Sequence, residues 1–136
     1  DMQAGLGSIQ LDKLNEIIKF KRELFSYYNE SICDHEDIIK PIIKKDNKDI
    51  PFRYYFQVKK DKQLLIDYLE SKNIQTRSFF YPMHLQPSVI AEYGNQSPCP
   101  VSEELNKTGI CLPLHHELSF NDIDYISECI NNFFKQ

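Results

Sequence analysis

The residues best suited to chemistry lie together between positions 76 and 87. This stretch places a guanidinium (Arg77), a phenol (Tyr81) and an imidazole (His84) in one short segment that two prolines stiffen. A proline fixes one backbone angle and biases the preceding residue toward extended geometry, so the segment loses little entropy when a ligand binds. Because binding residues are often carried on such positioned loops, we predict a binding site at residues 76–87.

Each of these side chains has its own binding chemistry. The imidazole of His84 can donate a hydrogen bond to a sugar hydroxyl or a phosphate oxygen. Arg77 can hold a diphosphate through two parallel hydrogen bonds, and the Tyr81 ring can lie against a sugar or a base. Phe79 and Phe80 would point to opposite faces of a continuing strand, so that one packs in the core and the other can line a pocket.

The residue types alone leave structural roles open. His84 could be held by a backbone hydrogen bond at a bend of the loop, and Tyr81 could be a core aromatic at a strand end. Arg77 could form a surface salt bridge. We interpret His115 and His116, which follow a predicted strand, as solvated or packing residues.

The spacing of cysteine and histidine does not favour a metal site. The cysteines are widely separated: Cys33, Cys99, Cys111 and Cys129. Zinc needs four ligands that converge at set spacings, and neither Cys33 with His35 nor the histidine pair at 115–116 supplies them. We expect no metal, and we expect reduced, mostly packed thiols.

Size and charge are typical of one compact soluble domain. The 136 residues are 41% hydrophobic and 26% charged, which allows a buried core. A net charge of −4 argues against a nucleic-acid surface, and the lysine cluster of residues 40–48 is interrupted by Asp46, which favours a solvated loop. No apolar run approaches the roughly 20 residues of a membrane helix, and no leader-like segment opens the chain. We therefore expect a cytoplasmic protein with neither nucleic acid nor membrane as a partner.

Apolar periodicity predicts the elements of the first half of the chain. The spacing of Leu14, Ile17 and Leu24 predicts one long amphipathic helix from about residue 3 to 30. Residues 33–50 show no sustained period, which predicts a loop with at most a short extended piece. Residues 52–58 are rich in strand formers, and their imperfect alternation suggests a strand covered on both faces.

Helices and strands are then predicted on both sides of the site segment. Asp61 is expected to cap a helix that buries Leu64 and Leu65, and a strand should begin at 74 or 75. A short helix at about 89–93 should end at Gly94.

Two prolines are expected to delay the next helix until Ser102 caps it. Residues 110–112 read as a further strand. Ser119 and Asp122 suit a capping box, and Leu118 with Ile123 a hydrophobic staple, at the start of the last helix. The buried stripe of that helix is predicted to be Ile123, Ile126, Ile130 and Phe133.

Three strands with helices on one side predict a small α+β layer structure. Such a layer is too small for a deep cofactor site of its own. From the size and composition of the chain we expect residues 1–136 to form a single domain.

Three blocks of sequence resemble one known family in the same order. Residues 1–14 carry Gln-Ala, then Gly, Gln-Leu and Lys-Leu, with Gly5 where the usual pattern has a second Ala. Residues 79–84 read Phe-Phe-Tyr-Pro-Met-His, and residues 109–119 carry Leu-Pro and then Leu-Ser before an acidic helix. In these blocks the chain resembles the C-terminal part of the DegT/DnrJ/EryC1/StrS family of pyridoxal-phosphate aminotransferases, and most of all its perosamine synthase branch.

The resemblance implies a fold and an activity for a larger parent enzyme. The chain would be the C-terminal small domain of a fold-type I aminotransferase, with a mainly antiparallel sheet and a long N-terminal linking helix. The parent would be a homodimer that moves an amino group from an amino acid, commonly glutamate, to a nucleotide-linked 4-keto-6-deoxy sugar for polysaccharide biosynthesis. The family's N-terminal domain supplies the Schiff-base lysine and most other cofactor ligands.

No catalytic and no cofactor-binding residue is therefore assigned to this chain. Pyridoxal phosphate is expected in the parent enzyme and not on this chain alone, which should be inactive. The lysines near the second predicted helix are interpreted as exposed surface residues: Lys59, Lys60, Lys62 and Lys72.

The resemblance also assigns the site segment to substrate binding, through His84, Tyr81, Arg77 and Phe79. An alternative is a stand-alone module that binds a nucleotide sugar or another protein. A structural fragment without activity is a third hypothesis.

Overall fold

The computed structural model describes residues 1–42 and 49–135. Residues 43–48, which include most of the lysine cluster predicted to be a solvated loop, lie outside the described residues. The described chain divides into two compact units. The first contains residues 1–33, 42, 49–54 and 113–135, and the second contains residues 34–41 and 55–112.

Helices and short strands alternate along the described residues. The helices are α1 (Met2–Asp12), α2 (Leu14–Ser31), α3 (Lys62–Ser71), α4 (Pro87–Tyr93), α5 (Pro100–Thr108) and α6 (Phe120–Phe133), with a 3₁₀ turn at Met83–Leu85. The strands are β1 (Ile38–Ile39), β2 (Tyr54–Val58), β3 (Arg77–Ser78) and β4 (Gly109–Leu112). None of the described helices is both long enough and apolar enough to span a membrane.

The first unit begins with two helices where the periodicity predicts one. The predicted helix of residues 3–30 is interrupted at Lys13, whose N–H donates to the carbonyl of Gln10 at 3.2 Å. This three-residue spacing tightens the end of α1, so α2 starts anew at Leu14. All 11 residues of α1 are exposed. The burial therefore begins in α2, at Leu24 and Tyr28.

The core of the first unit lies between α2 and α6. Tyr28 stacks on Tyr54 with ring centroids 4.7 Å apart. Burial raises the pKa of Tyr28 far above its usual value, and its hydroxyl has no hydrogen-bond partner among the described residues. On the surface, the Tyr27 hydroxyl donates to Asp124 at 2.6 Å, which joins the same two helices.

The start of α6 confirms the predicted capping box. The Asp122 N–H donates to the Ser119 hydroxyl at 3.2 Å, and the Ser119 N–H donates to the Asp122 carboxylate at 2.9 Å. The Ser119 hydroxyl also donates to this carboxylate, at 2.6 Å, and together with the Ser119 N–H it lowers the pKa of Asp122. Both staple residues, Leu118 and Ile123, are buried. The predicted stripe is buried as well, except that Phe133 is half-exposed.

The second unit is built on a small sheet. Its described strands run in the order β1-β2-β4-β3, with β1 antiparallel to β2 and β3 antiparallel to β4. This confirms the predicted α+β class with a small, mainly antiparallel sheet. The described sheet has four strands, one more than predicted, because Ile38 and Ile39 pair with Val58 and Gln57.

Two strand predictions differ from the structure. In β2 the burial alternates, with Phe56 and Val58 buried and Tyr55 exposed, so this strand is not covered on both faces. The strand expected at 74 or 75 starts at Arg77, since Ile74 is instead buried in the turn after α3.

Two cap predictions were also wrong. Asp61 precedes α3 in a left-handed conformation with φ 58°, so its side chain accepts no capping hydrogen bond. Its helix buries Leu65 as predicted, but Leu64 is 59% exposed. Helix α5 begins at Pro100 and not after a Ser102 cap, because the first helical position needs no N–H donor.

Candidate functional site

The predicted site segment forms a loop between β3 and α4, and we call residues 79–85 the site loop. It contains the 3₁₀ turn at Met83–Leu85. Pro82 is buried at its middle, while the side chains of Phe80 and Met83 are exposed. The loop is thus anchored at its centre and open at its surface.

Phe79 anchors the beginning of the loop. Its ring meets the Tyr55 ring edge to face, with centroids 5.7 Å apart. It also lies so close to Gly109 that a Cβ there would come within 2.4 Å of the ring. By contrast, Phe80 is 84% exposed. The structure therefore divides the pair as the strand geometry predicts, with Phe79 packed and Phe80 outward.

Tyr81 and Arg77 are surface residues. Tyr81 is 52% exposed, and its hydroxyl makes no hydrogen bond to any described residue. Arg77 lies in β3 opposite Cys111, with its side chain exposed. Both side chains are therefore open to a ligand. Tyr81 is not the core aromatic at a strand end that was its alternative role.

His84 is held by a carboxylate from helix α5. Its Nε2 lies 2.9 Å from Oε1 of Glu103, and its side chain is only 10% exposed. The same Oε1 atom accepts the backbone N–H of Cys99 at 3.1 Å. The imidazole is thus fixed by a side chain and not by the backbone hydrogen bond considered above.

Asn106 holds the other end of the site loop. Its side-chain Nδ2 donates to the carbonyls of Phe79 and Phe80 at 3.0 and 3.3 Å. Since Glu103 and Asn106 are three residues apart on α5, they lie on the same face of that helix. One helix face therefore holds the site loop at two points.

Lys62 ties α3 to this arrangement. Its ammonium donates to the Asn106 carbonyl at 2.9 Å and is half-buried, contrary to the prediction of an exposed surface lysine. Burial lowers the pKa of Lys62, and the nearby Cys111 partly opposes that shift. The Asn106 carbonyl gives the half-buried ammonium of Lys62 a hydrogen-bond partner, which it would otherwise lack.

Glu103, Asn106 and Lys62 were missed from the sequence. Glu103 and Asn106 lie 19 and 27 residues from their loop partners, and no local pattern marks such pairs. The available signal was the spacing of two polar residues on one face of a short predicted helix. His115 and His116, interpreted as residues outside the site, are both exposed.

Two half-buried lysines of the described residues, Lys62 and Lys40, do not offer pyridoxal phosphate a free amine. That cofactor needs a free lysine amine and an acidic or basic partner for its pyridine nitrogen. Lys62 is engaged with a carbonyl, and the mostly buried Lys40 is paired with Asp34 at 2.7 Å. Nor do the described residues bring together three or more His, Cys, Asp or Glu side chains that could hold a metal ion.

Comparison with known sequences finds relatives over nearly the whole chain. The model of the DegT/DnrJ/EryC1/StrS aminotransferase family matches residues 1–131. The GDP-perosamine synthase of Escherichia coli O157:H7 is 31% identical over 96% of this chain and 35% of its own length. The spore coat polysaccharide biosynthesis protein SpsC of Bacillus subtilis is 25% identical over 99% of this chain and 36% of its own length. The chain thus spans about a third of these relatives.

Solved structures share the fold. DesV of S. venezuelae superposes with a TM-score of 0.89 at 18% identity, over 99% of this chain and 36% of its own. The aminotransferase TlmJ of Streptoalloteichus hindustanus gives 0.83 at 22% identity, over 95% of this chain and 35% of its own. With a family model that matches nearly all of its residues, the chain belongs to the DegT/DnrJ/EryC1/StrS aminotransferase family.

Proposed function

We propose that the chain is the C-terminal domain of a pyridoxal-phosphate-dependent aminotransferase. The enzyme moves an amino group from an amino acid, glutamate in our proposal, to the ketone of a nucleotide-linked 4-keto-6-deoxy sugar. The observation that carries this proposal is the family match over residues 1–131, together with 31% identity to a GDP-perosamine synthase. Residues 1–136 act in it as one domain.

The relatives support a nucleotide-linked sugar as the substrate class. They include a second GDP-perosamine synthase, from Vibrio cholerae, at 27% identity, and a dTDP-4-amino-4,6-dideoxy-D-glucose transaminase from Shigella dysenteriae at 25%. Because the perosamine synthases act with GDP sugars by name, we propose a GDP-linked sugar. The product would serve polysaccharide biosynthesis in the cytoplasm, and the enzyme would be a homodimer.

The site loop and the adjoining Arg77 of β3 are the part of this chain that we assign to the sugar nucleotide. Tyr81 offers an exposed aromatic face, and Arg77 offers an exposed guanidinium that can bind the diphosphate. His84 is fixed in place by Glu103, which supports a role in orienting the sugar. Phe79 contributes by packing against the Tyr55 ring, which anchors the start of the site loop.

The cofactor belongs to another part of the proposed enzyme. Pyridoxal phosphate supplies the electron sink for amino transfer, whereas the residues described here bind and orient the sugar. We therefore propose no catalytic residue in this chain and no activity for the chain alone. Incubation of the purified chain with pyridoxal phosphate should give no absorption band of a lysine-linked imine, and such a band would contradict this division.

The test begins with the reading frame upstream of Asp1. We expect it to encode a domain that carries the Schiff-base lysine. The complete protein, with pyridoxal phosphate and glutamate, should then convert a GDP-linked 4-keto-6-deoxy sugar to a 4-amino sugar detectable by mass spectrometry. A frame without such a domain, or a complete protein that aminates no nucleotide sugar, would refute the proposal.

A stand-alone binding module is the second candidate. The observation in its favour is that each unit of the chain has its own buried residues, such as Tyr28 in the first and Phe56 in the second. Calorimetry of the chain with GDP- and dTDP-linked sugars decides this alternative. Heat of binding without an upstream catalytic domain would favour it, and no heat with any of these sugars would remove it.

A further inference from the structure

We infer that Glu103 is a positioning residue that fixes the tautomer of His84, so that Nδ1 of the ring accepts a hydrogen bond from a sugar hydroxyl. The ligand part of this inference rests on the proposed function. The tautomer part rests only on the contacts among Glu103, His84 and Cys99. Its first element is the 2.9 Å approach of His84 Nε2 to Glu103 Oε1.

The direction of that hydrogen bond follows from the acceptor. Oε1 already accepts the Cys99 N–H at 3.1 Å, and an ionised carboxylate has no hydrogen to give. The hydrogen between Glu103 and His84 must therefore come from the ring. When the imidazole is neutral, Nε2 is therefore the nitrogen that carries hydrogen, and Nδ1 carries the lone pair.

This assignment changes what His84 can offer to a ligand. The imidazole makes no second hydrogen bond within residues 1–42 and 49–135, so Nδ1 has no hydrogen-bond partner among them. A neutral ring in this tautomer accepts a hydrogen at Nδ1 and cannot donate one there. A sugar hydroxyl has such a hydrogen and an ionised phosphate oxygen does not, so the neutral ring selects the sugar over the phosphate.

Helix α5 also restricts how the ring can move. The site loop is held by Asn106 at the carbonyls of Phe79 and Phe80, one helical turn beyond Glu103. With the imidazole 90% covered, the ring has little free space in which to turn over. Glu103 therefore sets the tautomer, whereas Asn106 holds the start of the site loop without contacting the ring.

The matched variants are Glu103→Ala, Glu103→Gln and Asn106→Ala, each made in the 136-residue chain. Nitrogen-15 NMR of the histidine rings at neutral pH reports which nitrogen of His84 carries hydrogen. We expect Nε2–H in the wild type and a shift of about tenfold or more in the tautomer ratio in Glu103→Ala, because a hydrogen bond to a charged group is lost. Glu103→Gln keeps an acceptor at this position and should keep the tautomer.

Asn106→Ala is the control for a purely structural effect. It loosens the site loop without touching the imidazole contact, so the wild-type tautomer should persist. A backbone NMR spectrum of each variant confirms that it is folded. An Nδ1–H tautomer in the wild type, or an unchanged ratio in folded Glu103→Ala, would overturn the inference whatever the enzyme's substrate is.

The ligand part is tested in the complete enzyme. Glu103→Ala should raise the KM for the sugar nucleotide about tenfold, with the KM for the amino donor unchanged, and Glu103→Gln should restore it. If both KM values rise together, Nδ1 does not meet the sugar. If the wild type aminates no nucleotide sugar, the proposed function and the ligand part fail together, while the NMR result still decides the tautomer.

Discussion

Replacement of Gly109 by alanine tests the anchoring of the site loop. Gly109 starts β4, and a Cβ built on it would lie 2.4 Å from two ring atoms of Phe79 and 2.6 Å from the Leu105 carbonyl oxygen. Carbon atoms in contact normally stay about 3.5–4.0 Å apart, so the ring or the helix end must move by more than 1 Å. Neither the carbonyl nor the base of the ring is a flexible end that could turn aside.

The expected cost follows from these distances. Overpacking of this kind destabilises a core by about 1–3 kcal/mol. Alanine restricts the unfolded chain more than glycine does, and this offsets about 0.4–1 kcal/mol of the lost stability. Because two separate contacts are violated, we expect Gly109→Ala to lower the unfolding free energy by about 2 kcal/mol. With a urea slope of about 1.5 kcal/mol/M, the unfolding midpoint would fall by about 1.3 M.

Gly7 provides the matched control. It lies within α1, and no described atom comes within 4 Å of a Cβ built there. Gly7→Ala should therefore raise the stability by about 0.5–1 kcal/mol, the opposite sign. The double variant Phe79→Ala/Gly109→Ala should show a favourable coupling, since the missing ring removes one clash. Equal urea midpoints for Gly109→Ala and the wild type would refute this account of the close approach.

Three further predictions concern helix capping, alkaline stability and the site. Ser119→Ala should lower the unfolding free energy by about 1 kcal/mol in thermal melts, because the α6 capping box is lost, whereas Ser102→Ala should not, because Ser102 caps no helix. Burial raises the pKa of Tyr28 above the usual 10.0, so its unfolded form loses a proton first. The contribution of Tyr28 to stability should be constant below about pH 10 and fall as the pH rises beyond it, and a wild-type slope no steeper than that of Tyr28→Phe would contradict this. In the proposed enzyme, His84→Ala should raise the KM for the sugar about tenfold with cofactor binding intact, and exposed His116→Ala should not; loss of cofactor in His84→Ala would show that the loop is misplaced.

Local sequence signals predicted the elements whose causes are local. The α6 start was predictable because Ser119 and Asp122 interact across three residues, and the apolar stripe behind them repeats at helical spacing. Gly94 was predictable as the end of α4, since its φ of 73° is a conformation that glycine adopts readily. The α+β class followed from the same periodicities.

Elements with distant causes were not predictable in this way. The break at Lys13 involves no glycine or proline at the site of the turn, so periodicity continues through it. Strand β1 is only two residues long, and its existence depends on pairing with Gln57 and Val58 some 20 residues later. Propensity cannot show a strand that short.

The loop of the candidate site could be predicted from the sequence, but the residues that support it could not. The loop itself was evident from residue types that suit a ligand and from prolines that stiffen the backbone. Its supports, Glu103 and Asn106, were hidden because a helix face contains many polar residues and only the tertiary fold selects two of them. The physical reason is that hydrogen-bond partners distant in sequence are chosen by packing.

The shared oxygen of Glu103 links two events that occur at different places. Oε1 serves the backbone of Cys99 at the beginning of α5 as well as the ring of His84. Because the two donors share one oxygen, we expect a change in one of these bonds to alter the other, and by thermodynamic reciprocity this coupling acts equally in both directions. The rate at which the Cys99 amide exchanges its hydrogen with deuterated solvent should therefore change when a ligand binds at His84. This measurement needs no label on the ligand.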